Sequence, residues 1–178
     1  IFAQADSLNM PCVINASIGT YAGSHDGEDI AARMIDQMIK LKNGRAVVAA
    51  AGNAGAIPFH LQHHVNNDTL FSWFSYHSQL YNSAGGIYFE LWSDTADFNQ
   101  MYFALGADQP TASAYKFRGR TAFAQGKNRI NQLYLDSIMS HNGNRLAYVQ
   151  TYVEQSRGRY RMQVGLSGID STNYRFRF

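Results

Sequence analysis

Two spacings of apolar residues divide the chain. Over the first 57 positions the pattern switches between helical and strand periods. Ile1 to Leu8 has a short helical spacing that Pro11 punctuates. Cys12 to Ile18 is a β-branched run ending at Gly19, which fits a strand buried on both faces. From Glu28 to about Lys42, the residues Ile30, Met34, Ile35, Met38 and Leu41 fall on one face of a helix. Asp26, in the Gly-rich loop from Tyr21 to Gly27, is placed to cap it. Glu28 and Asp29 would then lie in its first turn and Lys40 and Lys42 in its last, as the helix dipole favours. Asn43-Gly44 stops it. Ala46 to Ala51 is a second buried strand, closing on Gly52-Asn53-Ala54-Gly55. Strand, helix and strand with short joints predict a βαβ unit, right-handed if the strands share a sheet.

Beyond Pro58 the helical period gives way to alternation. Leu70 to His77 is aromatic-rich and strand-like, and in Gly86 to Trp92 the residues Ile87, Phe89 and Leu91 oppose Tyr88 and Glu90. Met101, Phe103 and Leu105 alternate in the same way, and further strands are expected at 113–118, 129–137, 145–154, 159–166 and 172–178. Tyr160, Met162 and Val164 alternate against Arg159, Arg161 and Gln163. Turn signals separate the runs at Ser83-Ala84-Gly85-Gly86, Asn142-Gly143-Asn144 and Ser156-Arg157-Gly158. The expected organisation is an α/β piece over 1–58 and an all-β antiparallel sandwich over 59–178, most simply a jelly roll.

Composition narrows the classes. Hydrophobic residues make up 46% and charged residues 16%, the balance of a chain that folds. A formal charge of +2 is too small to call for nucleic acid, and no apolar run approaches the roughly 20 residues of a membrane-spanning helix. The single Cys12 excludes an intrachain disulfide and leaves cytosolic and bacterial secreted origins open. The sequence opens on Ile1 rather than Met and ends on Tyr174 to Phe178 inside an alternating pattern, so it reads as an internal piece of a longer protein. Nothing in it calls for a cofactor.

The strongest chemical signal is the run Ala46 to Gly55. Gly52 lets backbone approach a ligand closely, and the Asn53 amide offers N–H donors from the end of a strand. Aimed at a developing oxyanion, such a donor lowers a barrier by about 3–4 kcal/mol. A plain turn at the end of a strand accounts for the same residues. The upstream strand Val13 to Gly19, the loop Gly23-Ser24-His25-Asp26-Gly27, a helix, and then Val47 to Gly55 together resemble the middle of a subtilisin-like serine peptidase domain. The resemblance implies that Ser17, Ile18 and Gly19 line the substrate strand, with Ile18 where the family has Leu. It implies that Ala50, Ala51 and Gly52 wall the specificity pocket and that Asn53 is the oxyanion-hole side chain.

The same resemblance places the family's catalytic Asp and His upstream of this stretch and its Ser downstream. The chain alone is then expected to be inactive, its parent a secreted or cell-surface bacterial endopeptidase acting on peptides or proteins. Some subtilases of anaerobic and spore-forming bacteria carry a jelly roll between the oxyanion Asn and the Ser, where the all-β segment falls. Two further readings stand beside this one, a pseudopeptidase scaffold and a β-sandwich that binds glycan or protein. A sheet cut from its neighbours would expose apolar surface, so self-association is expected of residues 1–57.

Other groupings are weaker. Ser24-His25-Asp26 has the residue types of a triad, but neighbouring side chains diverge and favour a loop-ordering role. His60, His63 and His64 form an H-x-x-H-H cluster lacking an evident further zinc ligand. Asp94, Asp97 and Glu90 fit a calcium-binding turn or an ordinary hairpin. The arginines at 157, 159, 161, 175 and 177 suit an anion-binding face or a solvated sheet face. Tyr76, Tyr88, Trp92 and Tyr102 suit a sugar-stacking platform or plain packing.

Overall fold

The computed structural model describes residues 1–53, 55–58, 60–66, 69–75, 86–171 and 174–178. The chain divides into two units, Ile1–His64 and Val65–Phe178.

The first unit contains α1 (Phe2–Ser7), β1 (Cys12–Ala16), α2 (Ile30–Lys40) and β2 (Arg45–Ala49). The two strands are parallel, with Cys12 opposite Arg45 and Ala16 opposite Ala49. Asp6 binds both Arg45 and Lys42, the latter at 3.2 Å, which ties α1 to the start of β2. The capping expectation is corrected. Asp29, not Asp26, caps α2: its backbone is extended and its Oδ1 accepts the Ala32 N–H at 2.9 Å. Asp26 instead orders the loop before the helix, accepting the Ser24 hydroxyl and the Glu28 N–H. Glu28 therefore lies outside the helix, paired with Arg33 at 2.9 Å, and Lys42 lies beyond its other end. Two strands make a narrow floor, and no residue of α2 is buried; Ile30 is 61% and Met34 55% exposed, and Leu41, just past its end, 77%.

The second unit is mostly antiparallel β. It contains β3 (Trp73–Ser75), β4 (Ile87–Asp94), α3 (Thr95–Gln100), β5 (Tyr102–Phe103), β6 (Gly106–Pro110) and β7 (Tyr115–Arg120). These are followed by β8 (Ala124–Gln125), β9 (Leu133–Ser140), β10 (Arg145–Ser156), β11 (Arg159–Ser167) and β12 (Arg175–Arg177). Eight strands form one sheet in the order β3-β12-β6-β7-β9-β10-β11-β4, while β5 pairs with β8. The sheet curls until its edge strands meet, with Phe74 of β3 and Phe89 of β4 at 4.9 Å between ring centres. Inside the curl, Ile138, Val153, Met162, Val164 and Phe176 are fully buried. The hairpin β10–β11 turns through Arg157 and Gly158, both with positive φ, as a two-residue loop between twisted strands requires.

Alternation found β4, β10 and β11 and missed what interrupts it. The short helix α3 and the 3-10 turn Gly126–Arg129 contradict the expectation that helical structure ends at Pro58. Each is too short to show a period, and packing holds them instead. Phe98 of α3 is completely buried against Gly126, where an added Cβ would come within 2.6 Å of its ring. The strand expected from 129 starts at Leu133, behind that turn and a positive φ at Asn131. Tyr76 and His77 at the end of the Leu70 strand, Ser83, Ala84 and Gly85 of one turn, and residues 172 and 173 lie outside the described residues. Among the described residues no helix is long and apolar enough to cross a membrane.

Candidate functional site

The two sequence-derived motifs leave the first unit's sheet side by side. Because Ala16 stands opposite Ala49, Ser17-Ile18-Gly19 and Ala50-Ala51-Gly52-Asn53 both begin at the carboxyl ends of adjacent parallel strands. The Ala50 N–H still reaches the Ala16 carbonyl, at 3.4 Å. Past that point the segments open to solvent: Ile18 is 81% exposed, and Ser17, Gly19, Ala50, Ala51, Gly52 and Asn53 are exposed as well. Carboxyl ends of neighbouring parallel strands are where open α/β sheets place their ligands.

Gly52 has a local reason to be glycine. Its φ is +91°, and a Cβ there would sit 2.5 Å from the Tyr21 hydroxyl. Tyr21 thus lies over the turn that carries Asn53, closing the loop 20–29 back onto the end of β2. His25 holds a left-handed backbone, φ 55°, with Nε2 2.9 Å from the Tyr21 carbonyl. Its ring stacks on His60 with centres 5.0 Å apart. Ser24 gives its hydroxyl to Asp26. A nucleophile–base–orienter chain needs Ser24 against His25 and His25 against Asp26, and this geometry orders a loop instead.

The other sequence candidates are dispersed. Among the described residues no group of three His, Cys, Asp or Glu side chains is gathered to hold a metal. Asp94 pairs with Arg159 at 3.3 Å, Asp97 lies in the first turn of α3, and Glu90 binds its neighbours Tyr88 and Trp92. Arg161 pairs with Glu154 at 2.7 Å and stands 3.7 Å from Glu90. Of the aromatic platform, Tyr88 and Trp92 share one face of β4, Tyr102 belongs to β5, and Tyr76 is outside the described residues.

Two features went unread in the sequence. Asp108 of β6 is completely buried, bound by the Arg177 guanidinium and by the Trp73 indole N–H at 2.7 Å. The guanidinium lies 4.8 Å from the Phe71 ring centre and 5.7 Å from that of Phe117. Nothing in the segment Gly106 to Pro110 marks that carboxylate as buried. The second is Tyr88. Although the residue is 58% exposed, burial around its hydroxyl and then the Glu90 carboxylate push its pKa up to about 12. Elsewhere, Lys42 foremost holds Asp6 below the ordinary carboxylate value; burial opposes it, and Arg45 adds to the lowering. Burial, and then Asp170, raises Tyr174.

No family model matches the chain, and no curated protein matches it. Among solved structures it is similar to the CspB protease of Clostridium perfringens, at 14% identity and a TM-score of 0.47. The match covers 99% of this chain and 33% of that one, so the chain spans about a third of the length of that protein.

Proposed function

We propose that the chain is part of a subtilisin-like serine endopeptidase and that Asn53 supplies one donor of its oxyanion hole. The observation that carries this is the juxtaposition of Ser17-Ile18-Gly19 with Ala50-Ala51-Gly52-Asn53 at the carboxyl ends of β1 and β2. A substrate peptide then runs along Ser17 to Gly19 as an added strand, its backbone N–H and C=O groups pairing with theirs. Ala50, Ala51 and Gly52 wall the pocket for the side chain before the scissile bond. Asn53 donates its amide N–H to the oxygen that becomes negative as the tetrahedral intermediate forms. In this reading the triad Asp, His and Ser belong to other parts of a secreted or cell-surface bacterial protein, and the 178 residues alone do not hydrolyse peptides.

The curled sheet fits an inserted jelly roll in this reading. Among the described residues its halves β3-β12-β6-β7 and β9-β10-β11-β4 pair strand to strand at Gly119 with Ser140 and Arg120 with Met139. Phe74 and Phe89 face each other from those halves, as inner residues of a sandwich do.

The test is covalent labelling of the full-length gene product with a fluorophosphonate, together with its hydrolysis of a mixed peptide library. A labelled serine and peptide cleavage are expected. A protein that neither labels nor cleaves is a scaffold with a peptidase-like cleft, and the endopeptidase assignment fails.

A further inference from the structure

Away from the cleft, the outer faces of β10, β11 and β4 carry a grid of polar and aromatic side chains. Register places Gln150, Gly165 and Tyr88 in one row and Tyr152, Gln163 and Glu90 in the next. Glu154, Arg161 and Trp92 make the third row. The intervening residues on the same strands, among them Val149, Val153, Met162 and Val164, point into the core.

Three properties of this face belong to a binding surface. Glu90 fixes both aromatic rings: Tyr88 donates its hydroxyl to Oε1 at 3.2 Å and Trp92 its indole N–H to Oε2 at 3.1 Å. Tyr88 nevertheless remains 58% exposed, so an ordered ring is offered to solvent. Next, Gly165 leaves a gap that its backbone does not require. It is absent from the glycines with positive φ, and a Cβ there would meet only the Gln150 Cβ, at an ordinary 3.8 Å. Its missing side chain leaves a shallow trough floored by β11, with Gln150 and Tyr88 as its register partners on the two flanking strands. Finally, Arg161 stands between Glu154 at 2.7 Å and Glu90 at 3.7 Å, one guanidinium against two carboxylates. Such a face disfavours anions and favours an uncharged partner rich in hydroxyls.

We propose that the trough over Gly165 binds a neutral oligosaccharide. The C–H face of a pyranose packs on the Tyr88 ring. The amides of Gln150 and Gln163 meet its hydroxyls, each amide offering both a donor and an acceptor. The missing Cβ of Gly165 lets the sugar approach the sheet. This site stands independently of the peptidase reading.

The test titrates the full chain with neutral hexasaccharides of β-1,4-linked glucose, xylose and N-acetylglucosamine, read by calorimetry and tryptophan fluorescence. Gly165→Val fills the trough with a residue that strands favour, and Tyr88→Ala removes the stacking ring. Both are checked for an unchanged circular dichroism spectrum, and Tyr102→Ala on β5 serves as a distant control. Saturable binding of at least one hexasaccharide is expected, weakened about tenfold or more by each of the two variants and unaffected by the control. No saturable binding up to about 5 mM, or binding that survives Gly165→Val and Tyr88→Ala, overturns the proposal. A dimer that dissociates in Gly165→Val also overturns it, because the face then serves a second copy of the chain.

Discussion

Asp108→Ala is the substitution whose cost the structure fixes most closely. The carboxylate is 0% exposed and takes contacts from Arg177 and from the Trp73 indole, at 2.9 Å to Arg177 Nε and 2.7 Å to Trp73 Nε1. Removing it leaves a guanidinium against the Phe71 and Phe117 rings and an indole N–H without its acceptor. Breaking a fully buried ion pair costs about 3–5 kcal/mol. The Arg177 side chain is 31% exposed, so water relieves part of that loss. The indole hydrogen bond adds about 1 kcal/mol. The expected total is about 3 kcal/mol, or a fall of about 10–15 °C in the melting temperature of a unit this size. Asp108→Asn, which keeps an acceptor and loses the charge, should cost about 1–2 kcal/mol. The assay is urea unfolding of the full chain, followed by near-ultraviolet circular dichroism to report Trp73. A double-mutant cycle with Arg177→Met should give a coupling of about 1–2 kcal/mol. An Asp108→Ala protein within about 1 kcal/mol of the parent, or a coupling near zero, would refute the reasoning.

Asp29→Ala should weaken α2 by about 1 kcal/mol, seen as faster amide exchange in its first turn, whereas Asp26→Ala should leave that turn protected. The Tyr88 phenol, raised from 10.0 to about 12, favours the folded state below pH 10, and that contribution is lost as pH rises through 12. Ultraviolet titration of Tyr88→Phe against the parent should therefore remove a component ionising near 12; loss of one near 10 would contradict the assigned cause. Asp6 is held below its ordinary 3.8, so its contribution is present above that pH and lost as pH falls through the lower folded value. Carboxylate NMR titration should show that shift disappearing in a Lys42→Met, Arg45→Met double variant.

Periodicity located elements whose faces differ and failed where packing alone decides. Tyr160, Met162 and Val164 alternate with Arg159, Arg161 and Gln163 because one side of β11 meets the core and the other meets solvent. For α2 the apolar stripe marked the helix, and the stripe lies exposed, as expected of a sheet cut from its neighbours, because the sheet beside it has two strands. The cap at Asp29 was misassigned because Asp26 and Asp29 both precede the helix, and only the backbone conformation distinguishes a capping residue from a loop-ordering one. Phe98 and Gly126 meet across a distance in sequence that no local pattern spans, and the same holds for Asp108 and Arg177. At the candidate site the glycine and the asparagine were legible as residue types. The role of Tyr21 over Gly52 was not, because it requires the loop 20–29 to fold back.

The most direct measurement is the steady-state kinetics of peptide hydrolysis by the full-length gene product with Asn53→Ala. If Asn53 binds the oxyanion, the donor acts only as charge develops, so kcat should fall about 10²–10³-fold. KM should stay within about threefold, since ground-state binding does not use that donor. A loss in kcat well short of about tenfold, or an effect confined to KM, would contradict the assignment.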